Sequence, residues 1–278
     1  MTWPHYLVEE LADRRCVIVV GSGISSSCET SDGERPPGWS ALLDELAALI
    51  SDVDARNEAK RLITEKQLLR AAQVVADKTL AEDRERIIKR RLERQYQPSK
   101  WIELIRDFDQ NVMVTTNYDC LLEDACPREG FRTHIHKDQE AVKVLRAPER
   151  LILKLHGCIR RDPGSLVLSM SDYHAIRADY PHCLKLLESV FVTHTALFLG
   201  YSIQDPDMQL VMQNISIAFP HAQPHIILTS DPMHASVRSA MERSLNLKFV
   251  CYDKGRHKVG LEMLESLFED VQSMRASR

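Results

Sequence analysis

Short apolar runs alternate with longer stretches in which apolar residues recur at every third or fourth position. The runs cover residues 16–20, 112–115, 151–155, 195–199, 225–229 and 247–250. Near-continuous hydrophobicity over so few residues fits strands covered on both faces, as in a parallel sheet. The spacing between them predicts helices over 39–50, 54–94, 101–106, 118–125, 181–192, 205–218, 232–245 and 257–274. Strand and helix in alternation point to an α/β chain with a doubly wound, mostly parallel sheet. Residues 41–110 interrupt the rhythm, with almost no strand signal, and read as a helical insertion after the first βα unit. Such an insertion can act as a lid or an oligomer contact, or merely cover the sheet. The whole of 1–278 reads as one domain.

Chemistry gathers where the strands give out. The first ends in Gly21-Ser22-Gly23-Ile24-Ser25, and a glycine pair there lets backbone N–H groups approach a phosphate, favoured by the dipole of a following helix. A tight turn without ligand explains the same residues. The sheet is expected to be Rossmann-like, yet the dinucleotide fingerprint needs a third glycine where Ser26 stands, and no acidic residue ends a second strand about twenty residues on. The second strand runs into Thr115-Thr116-Asn117-Tyr118-Asp119. Asn117 can orient a ribose hydroxyl or a water and Asp119 can accept from a hydroxyl, or either can cap the next helix. The third ends in Lys154-Leu155-His156-Gly157, where an imidazole suits general-base work at neutral pH. The fourth ends in Gly200-Tyr201-Ser202-Ile203-Gln204-Asp205-Pro206. Four strand ends carrying glycine or small polar groups exceed what packing requires.

Composition narrows the setting. At 278 residues, 44% hydrophobic and 27% charged, with ten glycines and twelve prolines, the chain is neither disordered nor fibrous. Seven cysteines, at 16, 28, 120, 126, 158, 183 and 251, include no C-x-x-C pair, so neither a disulfide framework nor a paired-thiolate zinc site is indicated. No metal is expected, and a reducing cytoplasm fits best. A net charge of −4 argues against a general nucleic-acid surface, and the basic residues between Lys78 and Arg94 alternate with acidic ones as on a solvated helix. Neither a signal peptide nor a membrane span is visible. His134 and His136 share one face of a possible strand and read as exposed. Cys120, Cys126, Cys158 and Cys183 read as small packed hydrophobes, with oxidation of Cys158 a minor alternative.

Taken in order, G-S-G-I-S, T-T-N-Y-D, L-H-G and L-G-Y-S-x-x-D-P resemble the sirtuin-like proteins, specifically the bacterial branch that hydrolyses NAD rather than deacylating lysine. The resemblance covers roughly residues 15 to 210. Pro37-Gly38-Trp39 before Leu42-Leu43, and Ser169-x-x-Asp172-Tyr173, are similar to further features of that branch. Deacylase sirtuins carry an F-R segment after the first glycine motif, Gln at the position of Thr116, and two cysteine pairs holding zinc after the H-G; this chain has none of these. The resemblance therefore implies cleavage of the nicotinamide–ribose bond of NAD, without zinc. It implies phosphate contacts from Gly21, Ser22, Gly23, Ile24 and Ser25, with Thr116 also binding NAD. Asn117 would position ribose and water, Asp119 would support that loop or the nicotinamide carboxamide, and His156 would act as base. Gly200, Tyr201, Ser202 and Asp205 would line the adenosine side. It further implies a homo-oligomer triggered in antiphage defence, with sensing by a separate partner such as a HerA-like ATPase. Alternatives are a non-catalytic NAD or ADP-ribose-binding assembly module, and a NAD-dependent deacylase or ADP-ribosyltransferase.

Overall fold

A computed structural model describes residues 3–126, 130–146, 149–230 and 232–278. The first half of the chain holds α1 (His5–Ala12), β1 (Cys16–Val20), α2 (Ser22–Ser25), α3 (Trp39–Ala47), α4 (Val53–Thr64), α5 (Leu68–Lys78), α6 (Ala81–Leu92), α7 (Lys100–Asp107), β2 (Val112–Thr115), α8 (Leu121–Ala125) and β3 (Phe131–Ile135). The second half holds α9 (Ala141–Val144), β4 (Arg150–Lys154), α10 (Met170–Asp179), α11 (Pro181–Thr193), β5 (Thr195–Leu199), α12 (Pro206–Ala218), β6 (His225–Thr229), α13 (Ala235–Leu245), β7 (Leu247–Cys251) and α14 (His257–Ala276).

The seven strands form one sheet in the order β3-β4-β2-β1-β5-β6-β7, with every pairing parallel. Alternate residues of each strand face opposite layers. Ile18, Val20, Met113, Ile152, Leu197 and Ile226 meet α1, α7, α8 and α14. Val17, Val19, Val114, Leu153, Phe198 and Ile227 meet α9, α11, α12 and α13. Coverage on both sides is why these strands read as unbroken apolar runs. The edge strand β3 carries Arg132 exposed and three residues only half-buried, so its sequence lacks that run and hints at a strand only around 134–136.

From β1 the chain leaves toward β2 on one side, whereas from β5 it leaves toward β6 on the other. Their carboxyl ends thus bound the crevice where connections diverge, the place at which open α/β sheets bind ligands.

The insertion is α3–α7, and it divides its work. α7 packs on the sheet. Helices α3 to α6 instead build their own apolar cluster, in which Leu43, Leu46, Ala59, Ala71 and Ile88 meet Tyr118, Cys120, Cys158 and Leu166 of the strand-end loops. They therefore roof the carboxyl edge of the sheet rather than cover its faces. The expected single stretch over 54–94 is three helices. Lys66, at φ 60°, ends α4 in the left-handed conformation, and the extended Thr79 and Leu80 separate α5 from α6. Arg84 closes that second break by donating to the carbonyls of Ala76 and Thr79.

Candidate functional site

The β1 and β5 loops touch through backbone. Gly21 N–H donates to Leu199 O at 3.0 Å, and Gly23 N–H donates to Gly200 O at 2.9 Å. A Cβ on Gly21 would lie 2.4 Å from Gly200 O, and one on Gly200, itself at φ 58°, would lie 2.5 Å from Ile24 N. The glycines are needed first for this close approach. The Gly21 and Gly23 N–H groups are used in this contact and Ile24 N–H donates to Gly21 O, which leaves fewer N–H groups of the loop for the expected phosphate contacts. The following helix, α2, is a single turn of four residues, with no macrodipole worth the name. What the loop does present is Ser22, exposed between two cavities.

The β2 end is tied to the same loop. Thr115 Oγ1 donates to Val20 O at 2.8 Å and accepts from Asn117 N–H at 3.0 Å. Asn117 Nδ2 then donates to Ser25 Oγ at 2.9 Å, and Ser25 Oγ donates to the buried Asp119 Oδ2 at 2.7 Å. Asp119 Oδ1 accepts from Leu121 N–H at 3.1 Å, so its carboxylate also serves the start of α8. Asn117 is thereby held in one orientation by a three-residue relay spanning two strand ends.

The β4 end brings His156 into the same space, 5% exposed, with Tyr173 edge-on to its ring at 5.1 Å. Asp205, expected on the adenosine side, instead stands beside His156, with Oδ2 3.1 Å from Nε2. That oxygen also accepts from Tyr173 Oη at 2.7 Å, while Oδ1 caps α12 by accepting from Met208 N–H at 2.8 Å. Burial works to raise the Asp205 pKa, but the His156 charge, the Met208 N–H and the Tyr173 hydroxyl outweigh it and hold the carboxyl below its ordinary value. Tyr173 comes from the S-x-x-D-Y motif. Ser169 and Asp172 form a capping box that starts α10 and so aims Tyr173 at Asp205.

These groups line a cavity of about 760 Å³. Its floor is Ser22, Ser25, Thr116, Asn117, Asp119, His156 and Asp205; its roof is Trp39, Leu42 and 66–70 of the insertion. Gly23, Ile24 and Gly200 lie instead on a second cavity of about 870 Å³, and Ser22, Tyr201 and Ser202 wall both. The second cavity carries cations absent from the sequence expectations: Arg35, Lys100, Lys254 and Lys258. None of them belongs to a strand-end motif, which is why motif reading passes over them.

Behind the first cavity lies a buried polar cluster. Cys120 Sγ and Cys158 Sγ are 3.4 Å apart, Glu123 Oε1 is 2.7 Å from Lys154 Nζ, and Lys154 also donates to Asp119 O. Cys120 and Cys158 are thus not merely packed as hydrophobes, although both belong to the insertion's apolar cluster. One ligand atom from each of Cys120, Glu123 and Cys158 lies within 4.8 Å of the others, a donor set that can hold a metal. The histidines expected on the surface are also placed differently: His136 is buried, and His134 is half-buried 3.5 Å from Asp138.

The family model for the SIR2-like domain matches residues 111–250, just over half of the chain. This chain belongs to the SIR2-like domain family. Defense-associated sirtuin 2 of Bacillus subtilis is 30% identical over 102 residues, 36% of this chain and 10% of that protein. The NAD(+) hydrolase ThsA of Bacillus cereus is 30% identical over 112 residues, 39% of this chain and 23% of that one. ThsA of Acinetobacter baumannii aligns at 22% identity over 94% of this chain and 52% of its own. The SIR2-like chain thus spans at most about half the length of these relatives. Among solved structures, cytosolic 5′-nucleotidase IIIB bound to cytidine matches at a TM-score of 0.37 and 11% identity, over 95% of this chain and 90% of that one, too faint a likeness to bear on function. No helix among the described residues is long and apolar enough to cross a membrane.

Proposed function

We propose that this SIR2-like chain hydrolyses NAD at the nicotinamide–ribose bond, releasing nicotinamide and ADP-ribose, as an NAD-depleting effector of bacterial defence. The observation that carries the reading is the convergence of the Asn117–Ser25–Asp119 relay and the His156–Asp205 pair on one cavity at the divergence of β1 and β5. The relatives named NAD(+) hydrolase support the substrate. In this reading nicotinamide and its ribose occupy the first cavity. The pyrophosphate crosses the shared wall at Ser22, Tyr201 and Ser202, and the adenosine half takes the second, where Arg35, Lys100, Lys254 and Lys258 supply positive charge.

The C–N bond breaks with its electron pair going to the pyridinium nitrogen, so nicotinamide departs neutral and the ribose gains oxocarbenium character. Asn117, fixed by Ser25, orients the ribose hydroxyl and the attacking water. Both Asp119 oxygens are engaged by Ser25 and Leu121, so we assign it to holding that relay rather than to the carboxamide. His156 takes the proton that water loses, and Asp205 stabilises the resulting imidazolium. No zinc is required by this chemistry. A homo-oligomer and an ATPase partner are part of the same proposal.

Incubating the assembled protein with NAD and following nicotinamide by chromatography is expected to show release that Asn117→Ala and His156→Ala each abolish. Intact NAD with wild type under triggering conditions, or full turnover by either variant, rejects the reading. ADP-ribose attached to protein would instead indicate transfer.

A further inference from the structure

We propose that Cys120 and Cys158 are a modification site: peroxide converts them to a disulfide that joins the Asn117 loop to the His156 loop. Cys120 is the next residue after Asp119 and Cys158 is two past His156, so the pair bridges the two segments carrying the site. Their sulfurs already stand 3.4 Å apart, and the two loops are fixed to each other by Ile159 N–H donating to Tyr118 O at 2.9 Å. Both thiols are free.

The surroundings make Cys158 the nucleophile. The two thiols share one hydrogen bond, Lys154 adds positive charge, and the N–H groups of Arg160 and Arg161 point at the Cys158 sulfur, a setting that favours its thiolate. Lys154 itself loses hydration, yet the Glu123 carboxylate holds it protonated above the ordinary lysine value. The same ammonium is the reason to prefer oxidation over metal binding. It donates to Glu123 and to Asp119 O from a fully buried position, so a divalent ion bound by Glu123 would meet a fixed positive charge beside it. Glu123, 15% exposed, is the most accessible member of the cluster, and peroxide reaches the buried Cys158 through local opening of the loops around it.

The step balances with a peroxide as oxidant. The Cys158 thiolate attacks one oxygen of hydrogen peroxide, the O–O bond breaks, and hydroxide leaves, taking up a proton as water; Cys158 becomes a sulfenic acid. The Cys120 sulfur then attacks that sulfur, its proton and the sulfenic hydroxyl leave as water, and the S–S bond forms. Two electrons pass from the sulfurs to peroxide. Closing the sulfurs to about 2.05 Å moves each loop by a fraction of an ångström to an ångström. Displacement on that scale at a site this finely positioned costs about tenfold or more in turnover. This effect on turnover rests on the NAD-hydrolase reading; the bond itself does not.

The full-length reduced protein is treated with hydrogen peroxide, remaining thiols are alkylated, and peptides are mapped by mass spectrometry. The expected product is one cross-link, Cys120 to Cys158, reversed by dithiothreitol, with nicotinamide release falling at least tenfold and returning on reduction. Cys120→Ala is expected to form no cross-link and to keep its turnover through the mild peroxide pulse that silences wild type. Three results overturn the proposal: both thiols still alkylate after peroxide, the cross-link involves a different cysteine, or elemental analysis finds stoichiometric zinc shielding the pair. A protein that never releases nicotinamide would sink the hydrolase reading alone, because the cross-link is read by mass.

Discussion

Ser25 is the residue on which the orientation of Asn117 turns. Its hydroxyl accepts from Asn117 Nδ2 and donates to Asp119, so removing it frees the amide and strips a buried carboxylate of a donor. Ser25→Ala is expected to lower kcat for nicotinamide release by about ten- to a hundredfold, the penalty of mispositioning. The accompanying stability loss should be about 1–3 kcal/mol, typical of a buried group left unsatisfied. Ser25→Thr, which keeps the hydroxyl, should recover most of the rate. Equal kcat in wild type and Ser25→Ala, with only KM altered, would show that the relay does not position the reacting groups. At this scale the sequence was readable where a polar residue ends an apolar strand: Thr116, Asn117, Asp119 and His156 all face the first cavity. The pairing of Asp205 with His156 was not readable, because a carboxylate opening a helix after a glycine turn has the same signature whether it faces a ligand or a histidine. Only the fold, in which the loops after β4 and β5 reach toward each other across the ends of β2 and β1, makes that pairing.

Among elements, the contact between the β1 and β5 loops is the tightest constraint. Gly200→Ala places a methyl 2.5 Å from Ile24 N and forces a left-handed φ on an L side chain. The backbone conformation alone costs about 1–2 kcal/mol, and the clash must part loops that wall both cavities. A loss of more than about 2 kcal/mol in denaturant unfolding is expected, whereas Gly38→Ala, with open space around it, should change stability by less than about 1 kcal/mol. Similar values for the two variants would mean that the loops can separate freely. The five inner strands were legible because burial on both faces keeps them almost wholly apolar, and the edge strand β7 because Leu247, Phe249 and Val250 stay apolar beside the exposed Lys248; the other edge, β3, was not, with Arg132, Thr133 and His134 in its span. The breaks within 54–94 were hidden for a different reason. Lys66 takes a left-handed conformation that nothing in its chemistry announces, and the insertion's role as a roof depends on Tyr118 and Leu166, far along the chain. Cysteine spacing was equally silent, since Cys120 and Cys158 meet only through adjacent loops.

For the molecule as a whole, acid sensitivity is set by imidazoles folded away in the neutral form. His225 on β6 lies against Phe191 of α11, and its Nδ1 accepts from Ala196 N–H at 3.0 Å, which puts the ring proton on Nε2, a buried atom without a hydrogen-bond partner. Desolvation by burial pushes its pKa down to about 4. His136, beside Tyr180, is likewise pushed down to about 4, first by burial and then by the charges of Lys137 and His156. In the unfolded chain each would take a proton near pH 6.5. Between about pH 6.5 and 4 the unfolded state therefore binds more protons than the folded one, and stability falls as pH drops; above that window the contribution is complete. For His225 the loss across the window is on the order of 3 kcal/mol, and His136, equally buried and pushed to the same value, adds a contribution of the same sign. The melting temperature should accordingly fall by several degrees between pH 7.5 and pH 4.5. His225→Asn keeps an acceptor for Ala196 N–H but cannot titrate there. It is expected to melt below wild type at pH 7.5, because a packed ring is lost, and to show a visibly shallower decline toward pH 4.5. Parallel melting curves for the two proteins across that range would place the acid sensitivity elsewhere, in the carboxylates that pair with arginine on the surface.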